Sequence, residues 1–221
     1  MRPAKAAIVL LSVFLASCTS FNLAESPLSL TVKKQRRAKE AICAVKPFTY
    51  EPIKDKESSS TSEKPTEDEE VTQADINKWQ ELLVSGLNQS NIFAEVVPAR
   101  SDGKTDNADY VLTGKIRRFY FKKNWVPTFF PGHLALSFFT LTIYTWAAGP
   151  TTVTKVDFEV EATLQDAKSG TIIGNFSERY TDTSALNIYS KGIKNPYENP
   201  GLVFSTVIDA LATKIAAALP Q

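Results

Sequence analysis

Residues 153–165 place the tightest constraint on the fold. Thr154, Val156, Phe158, Val160, Ala162 and Leu164 alternate with Lys155, Asp157, Glu159, Glu161 and Gln165. Successive side chains of a strand point to opposite faces, so this period of two demands an antiparallel strand with one oily face and one wet face. The oily face then needs a covering layer. Residues 166–170 carry turn chemistry, and 171–180 (TIIGNFSERY) read as the returning hairpin partner. Two amphipathic helices supply the cover. Thr72 stands three residues before Asp75, a variant of the capping box. Ile76, Trp79, Leu82, Leu83 and Leu87 follow at helical spacing, which predicts a helix over 75–90. Asn199 and Pro200 suit the cap and first position of a second helix, whose apolar stripe is Phe204, Val207, Ile208, Leu211 and Ile215.

Upstream, residues 41–50 (AICAVKPFTY) are apolar on both faces, as a central strand is, and Pro47 ends them. Residues 92–97 (IFAEVV) predict the next strand, so strand, helix and strand form a βαβ crossover. In 109–121, Tyr110, Leu112, Gly114 and Ile116 share a face. Arg118 then falls in the inward slot while Phe119 and Phe121 point the other way, and a bulge near Gly114 or Arg117 accounts for the change of phase. The expected class is α/β (α+β): a mostly antiparallel sheet with two main helices on one face.

The amino terminus is an export signal. Arg2 and Lys5 precede the apolar run AAIVLLSVFLA, residues 6–16, which is too short for a bilayer that needs about 20 residues. Leu15, Ala16, Ser17 and Cys18 resemble the bacterial lipobox. The resemblance implies a signal peptide over 1–17, cleavage before Cys18, and acylation of the Cys18 sulfur. The mature chain would then have 204 residues, anchored in the membrane through that cysteine. Two or more acyl chains hold a protein stably, at about 0.8 kcal/mol per buried CH₂. Thr19 follows the cysteine where an Asp would retain the protein. By the lipoprotein sorting pattern this implies an outer-membrane anchor facing the periplasm of a Gram-negative cell.

Composition narrows the rest. Lys plus Arg is 25 against 24 Asp plus Glu, so no basic excess points to a nucleic-acid partner. One His and two Cys cannot supply an ordinary zinc site or a disulfide framework, so neither metal nor other cofactor is expected. With Cys18 acylated, Cys43 is read as a buried, inert thiol. Residues 18–40 are expected to be a lipidated tether, and its cluster Lys33, Lys34, Arg36, Arg37 and Lys39 a solvated face, or a contact for anionic head groups or an acidic partner. Residues 41–221 form the single domain. Within it, 54–74 is a disordered acidic loop with seven acidic residues and nothing to bury.

The second unusual feature is 124–154, thirty-one residues without Asp, Glu, Lys or Arg. Trp125, Phe129, Phe130, Phe138, Phe139, Tyr144 and Trp146 lie in it. So much exposed apolar surface needs cover. Three readings stay open: an insertion packed on its own domain, a segment that docks on a partner or dips into a membrane face, and a bilayer span. Leu134 to Ala148 is short for a span, and Pro127, Pro131 and Gly132 break what precedes it.

Catalytic patterns fail on inspection. Gly103, Lys104 and Thr105 end like a phosphate-binding loop, but Pro98 stands where the first glycine belongs. Ser101 and Lys104 match S-x-x-K, with Asp106 and Asn107 crowded into the same loop. His133 lacks a nucleophile in a recognisable setting. No enzyme is expected, and a hydrolase is the most distant reading.

The order of pieces resembles a known group. The lipobox is followed by AVKPF, LLVSGLNQSNIFAEVV, ADYVLTGKIRRF and VEATLQDAKSGTII, then a closing helix. This is similar to small Gram-negative periplasmic lipoproteins with a domain like the amino-terminal domain of TolB, the group of the ABC-transport auxiliary and curli-secretion lipoproteins. The resemblance covers 41–121 and 153–219, and its loose motifs specify a fold better than an activity. It implies an accessory or assembly lipoprotein that docks on an envelope complex of transport or secretion type, with an envelope protein or a second copy as partner. The alternative is an oligomeric, membrane-inserting lipoprotein that uses 124–154 for membrane or pore contact. The longer acidic loop and the oily 124–154 depart from the group's pattern.

Overall fold

A computed structural model describes residues 23, 28–35, 40–53, 71–99, 107–125, 152–186 and 195–219. The element order is β1 (Ile42–Val45), β2 (Thr49–Tyr50), α1 (Gln73–Ser90), β3 (Glu95–Pro98), β4 (Tyr110–Trp125), β5 (Thr152–Asp166), β6 (Ile172–Leu186) and α2 (Pro200–Ala218). The six strands form one sheet in the order β3-β1-β4-β5-β6, with β2 beside β4.

The sheet is mixed. β1 pairs in parallel with β3 (Cys43 opposite Val96) and with β4 (Cys43 opposite Tyr110), and β2 pairs in parallel with β4. The expected antiparallel arrangement holds for the long strands. Thr113 reaches Thr163 while Arg118 reaches Glu159, so partner numbers fall as β4 advances. Between β5 and β6 the same holds, from Thr163 with Asn175 to Asp157 with Arg179. A crossover helix between two strands of one sheet imposes parallel pairing, so β1 and β3 pair as the expected βαβ crossover requires, and the sheet as a whole is mixed.

The capping box is made: the Thr72 hydroxyl accepts from the Asp75 N–H, and the Asp75 carboxylate accepts from the Thr72 N–H at 3.0 Å. With Thr72 as cap, the helix claims Gln73 and Ala74 from the expected loop 54–74, and 54–70 lies outside the described residues. At the other end Asn91 adopts left-handed backbone, φ 61°. Asn199 and Pro200 open α2 as expected, although the Asn199 side chain makes no cap hydrogen bond. The β5–β6 turn is a type of hairpin that sequence reading recognises. Asp166 N–H donates to Thr171 O, Gly170 N–H donates to Asp166 O, and Gly170 sits at φ 69°, where a side chain would be strained. The Asp166 carboxylate accepts from the Lys168 and Ser169 N–H groups, which holds it below the usual carboxylate range. β6 runs to Leu186, beyond the expected hairpin strand, because pairing to β5 continues where apolar alternation has faded.

The phase change in β4 comes at Arg117 and Arg118. Arg117 lies 3.4 Å from Glu161 and Arg118 3.0 Å from Glu159, so two consecutive side chains share the outer face. The expected inward slot for Arg118 is thus filled by Phe119, which is buried against Phe158 at 5.9 Å. A doubled residue on one strand is a bulge, and it spares the sheet a buried arginine.

The chain divides into two compact units. One comprises Met1–Phe21, Phe121–Lys155 and Thr183–Ile193, and its described residues are the ends of β4, β5 and β6, where the Thr154 hydroxyl donates to Ser184 O at 3.3 Å. The other comprises Asn22–Tyr120, Val156–Asp182 and Lys194–Gln221 and holds both helices. Its core is aromatic. Trp79 of α1 meets Phe158 of β5 at 4.9 Å and Phe204 of α2 at 5.7 Å, and Phe158 meets Phe204 at 5.1 Å. One strand residue touching both helices puts them on the same face of the sheet, as expected. Gly86 permits their close approach, since a Cβ there would lie 2.8 Å from Ile208.

The helices run in the same direction. Trp79 meets Phe204 early in both, and Gly86 meets Ile208 further along. α1 runs against β1: Gln80 donates to Val45 O at the end of β1, while Ala94, just after the helix, donates to Ala41 O before its start. Both helices therefore begin at the end of the unit where β1 finishes.

Candidate functional site

The residues singled out for function fall largely outside the described part. Leu15, Ala16, Ser17 and Cys18 do so, as do Phe129, Phe130, Phe138, Phe139, Tyr144 and Trp146. Trp125 is described by its backbone alone, as the last residue of β4. β4 and β5, which flank the uncharged stretch, are neighbours in the sheet. Cys43 is fully buried, and burial pushes its thiol up to about 12, so it stays protonated and unreactive at neutral pH.

Two surfaces of the second unit are built from residues that composition did not reveal. The first is a strap. An extended chain advances about 3.3 Å per residue and a helix about 6 Å per four residues, so alternate strap residues match every fourth residue of a helix. Residues 29–35 use that match along α2. Ser29 O lies against Gly201, Thr31 N–H donates to the Ser205 hydroxyl at 3.0 Å, Lys33 N–H donates to the Asp209 carboxylate at 2.7 Å, and the Gln35 amide donates to Thr213 at 3.1 Å. Gln35 N–H also donates to Ser90 O, the last residue of α1. Leu23 is fully buried. Residues 23 and 28–35, within the expected tether 18–40, are thus held. Two signals were available, the polar stripe Ser205, Asp209 and Thr213 and the alternation of Leu28, Leu30 and Val32 with Ser29, Thr31 and Lys33; the first by itself reads as an ordinary wet face and the second does not say what the segment pairs with. Among the described residues α2 alone is long and apolar enough to cross a membrane. Its apolar stripe is spent on the core, with Phe204, Ile208, Leu211 and Ile215 fully buried, and its polar stripe on the strap.

The second surface is the sheet face away from the helices. Asp157 accepts two hydrogen bonds from Arg179, at 2.8 and 2.7 Å, and one from Thr181 at 3.2 Å. Arg118 bonds Glu159 and stands 3.9 Å from Asp157. Arg117 bridges Glu161 and Glu51, and Lys115 bonds Glu51 at 2.7 Å. The Asp157 carboxylate raises the Arg179 pKa, and the Lys115 hydrogen bond lowers that of Glu51, so Arg179 and Glu51 stay ionised at neutral pH. Four cations (Lys115, Arg117, Arg118, Arg179) face four carboxylates (Glu51, Asp157, Glu159, Glu161), a cross-strand lattice with no net charge. Such a lattice sets register and keeps an open sheet face wet. Among the described residues no group of three His, Cys, Asp or Glu could hold a metal ion.

No family model matches the chain, and no curated protein is similar to it at a significant level. Solved structures do resemble it. A DUF330 protein from Xanthomonas campestris is 13% identical, over 86% of this chain and 90% of its own, with TM-score 0.48. The PelC dodecamer from Paraburkholderia phytofirmans is 13% identical, over 86% and 96%, with TM-score 0.41. Lipoprotein GNA1162 from Neisseria meningitidis is 12% identical, over 80% and 99%, with TM-score 0.37. At these identities and scores the likeness carries no argument about activity or partner.

Proposed function

We propose that the chain is a non-enzymatic, lipid-anchored periplasmic lipoprotein, held in the outer membrane through Cys18, that docks on an envelope complex of transport or secretion type. The observation that carries this reading is the sequence Leu15-Ala16-Ser17-Cys18 behind a charged start and a short apolar run. The hold on the chain at Leu23, five residues after the anchor, supports it, because a soluble body kept this close to a bilayer suits a partner in the same envelope. The second reading, membrane or pore contact through 124–154, draws on the lack of charge in that stretch and on its flanks, Lys122 and Lys123 before it and Lys155 after it.

Cys18→Ala tests the anchor. The variant should take up no labelled palmitate and should leave the outer-membrane fraction; unchanged labelling would refute the lipobox reading. Crosslinking in intact cells followed by purification tests the docking. A reproducible envelope partner supports it, and recovery of self-crosslinked copies alone favours the oligomeric reading.

A further inference from the structure

The strap covers a surface that can stand in water. Beneath it lie Gly201, Ser205, Asp209 and Thr213 of α2, and Val32 lies against Gly86 of α1, where a Cβ would be 3.3 Å away. These are glycines and polar side chains. Ser205 is 6% exposed, with its hydroxyl accepting from the Thr31 N–H. Water can replace the strap at each acceptor, so lifting it strands no polar group. The aromatic core is built without the strap: Trp79, Phe158 and Phe204 pack on one another from α1, β5 and α2.

The strap's own hold is light. Leu28, Leu30 and Val32 are half-buried, and Ser29, Thr31, Lys33 and Lys34 are exposed. Two of its bonds to α2, from the Lys33 N–H and the Gln35 amide, lie in the open, where water competes for them. A segment with few buried apolar contacts and exposed hydrogen bonds opens without the rest of the fold. What it holds is chain length. Ten residues separate Cys18 from Leu28, a span of at most about 36 Å. Twenty-three separate Cys18 from Ala41, whose carbonyl accepts from the Ala94 N–H beside β1, a span of at most about 83 Å.

We infer that residues 28–35 are a releasable strap, docked on α1 and α2 in one state and free in another, that sets how far the sheet of the second unit can stand from Cys18. This rests on the reading of Cys18 as the lipid anchor. Leu23 is buried as well, and it comes away with the strap when the full length is free. A partner beyond the reach of the docked form binds the released form alone and so draws the equilibrium toward it.

The test uses the full-length acylated protein in phosphatidylcholine vesicles. Trypsin needs a stretch of free chain, so first cuts after Lys33 or Lys34, identified by mass spectrometry, report strap opening. In the parent their rate should barely change in low urea, because lifting the strap exposes little surface. Ser205→Ala with Asp209→Ala removes two acceptors and should speed these cuts about tenfold, while the circular dichroism melt stays cooperative. Should that pair fail to fold, Gln35→Ala leaves both helices untouched and carries the same prediction at a smaller factor. Cuts that appear only in step with unfolding of the whole unit, or that the substitutions leave unchanged, would overturn the release. Length is read by energy transfer from a fluorophore on Lys168→Cys to an acceptor on the lipid headgroups. Lys168 is exposed, Cys43 is buried and Cys18 carries its lipid, so the new thiol takes the label. Transfer should fall in the released variant. A freely cut strap with unchanged transfer would overturn the length role. A protein that does not float with the vesicles refutes the anchor reading and the length role with it, and the trypsin result then decides the release alone.

Discussion

Phe158 is where the architecture can be tested most sharply. Its ring is fully buried and touches Trp79 at 4.9 Å, Phe204 at 5.1 Å and Phe119 at 5.9 Å, so it joins α1, α2 and β4 to the centre of the sheet. Phe158→Ala removes apolar area and leaves a cavity, a change that costs about 3–5 kcal/mol at buried sites. Edge-on aromatic pairs contribute about 0.5–1.5 kcal/mol each beyond area burial, and three of them end here, which places the expected loss near 5 kcal/mol. Domains hold about 5–15 kcal/mol in all, so the variant is folded but weakened. For a chain of this length each kcal/mol shifts the melting midpoint by about 2–4 °C, so the drop should be roughly 10–20 °C. Circular dichroism melting of the form without residues 1–18 reads it. Ile172→Ser is the control: that side chain is 55% exposed, and surface changes stay within about 0.5 kcal/mol. A Phe158→Ala midpoint within about 2 °C of that control would refute the convergence of both helices on one residue.

Two further outcomes follow from other parts of the chain. The Asp166 carboxylate has its pKa lowered by the Ser169 N–H, so its contribution is complete above the ordinary carboxylate range near pH 4 and is lost as pH falls through the depressed value; Asp166→Asn should flatten that part of the acid limb of a stability-against-pH curve, and an unchanged limb would deny the linkage. Replacing 126–151 by a short Gly/Ser turn should leave a cooperative melt and a more soluble protein, because β4 and β5 are already sheet neighbours and loop length costs little entropy; a lost or broadened transition would show that the aromatic stretch is core.

What could be read without coordinates was whatever repeats with a period. Alternation over 153–165 marked β5 and its inward face, and helical spacing after Thr72 marked α1 and the buried position of Trp79. Asp166 and Gly170 announced the hairpin, because only some side chains suit that backbone. The lipobox resemblance at Leu15–Cys18 is likewise a local pattern, carried by a short stretch of chain. Nonlocal partners could not be read in this way. The parallel pairing of β1 with β4, the placing of Arg117 and Arg118 on one face, and the bidentate hold of Arg179 on Asp157 each depend on which strand arrives alongside. The strap is the clearest case. Leu28, Leu30 and Val32 alternate with Ser29, Thr31 and Lys33, a rhythm that marks an extended segment but not its partner, and the segment is held because backbone N–H groups meet Ser205 and Asp209 some 174 and 176 positions away. A sequence shows what each residue can offer; the fold decides which distant group is there to accept it, because buried and half-buried donors must be matched one by one.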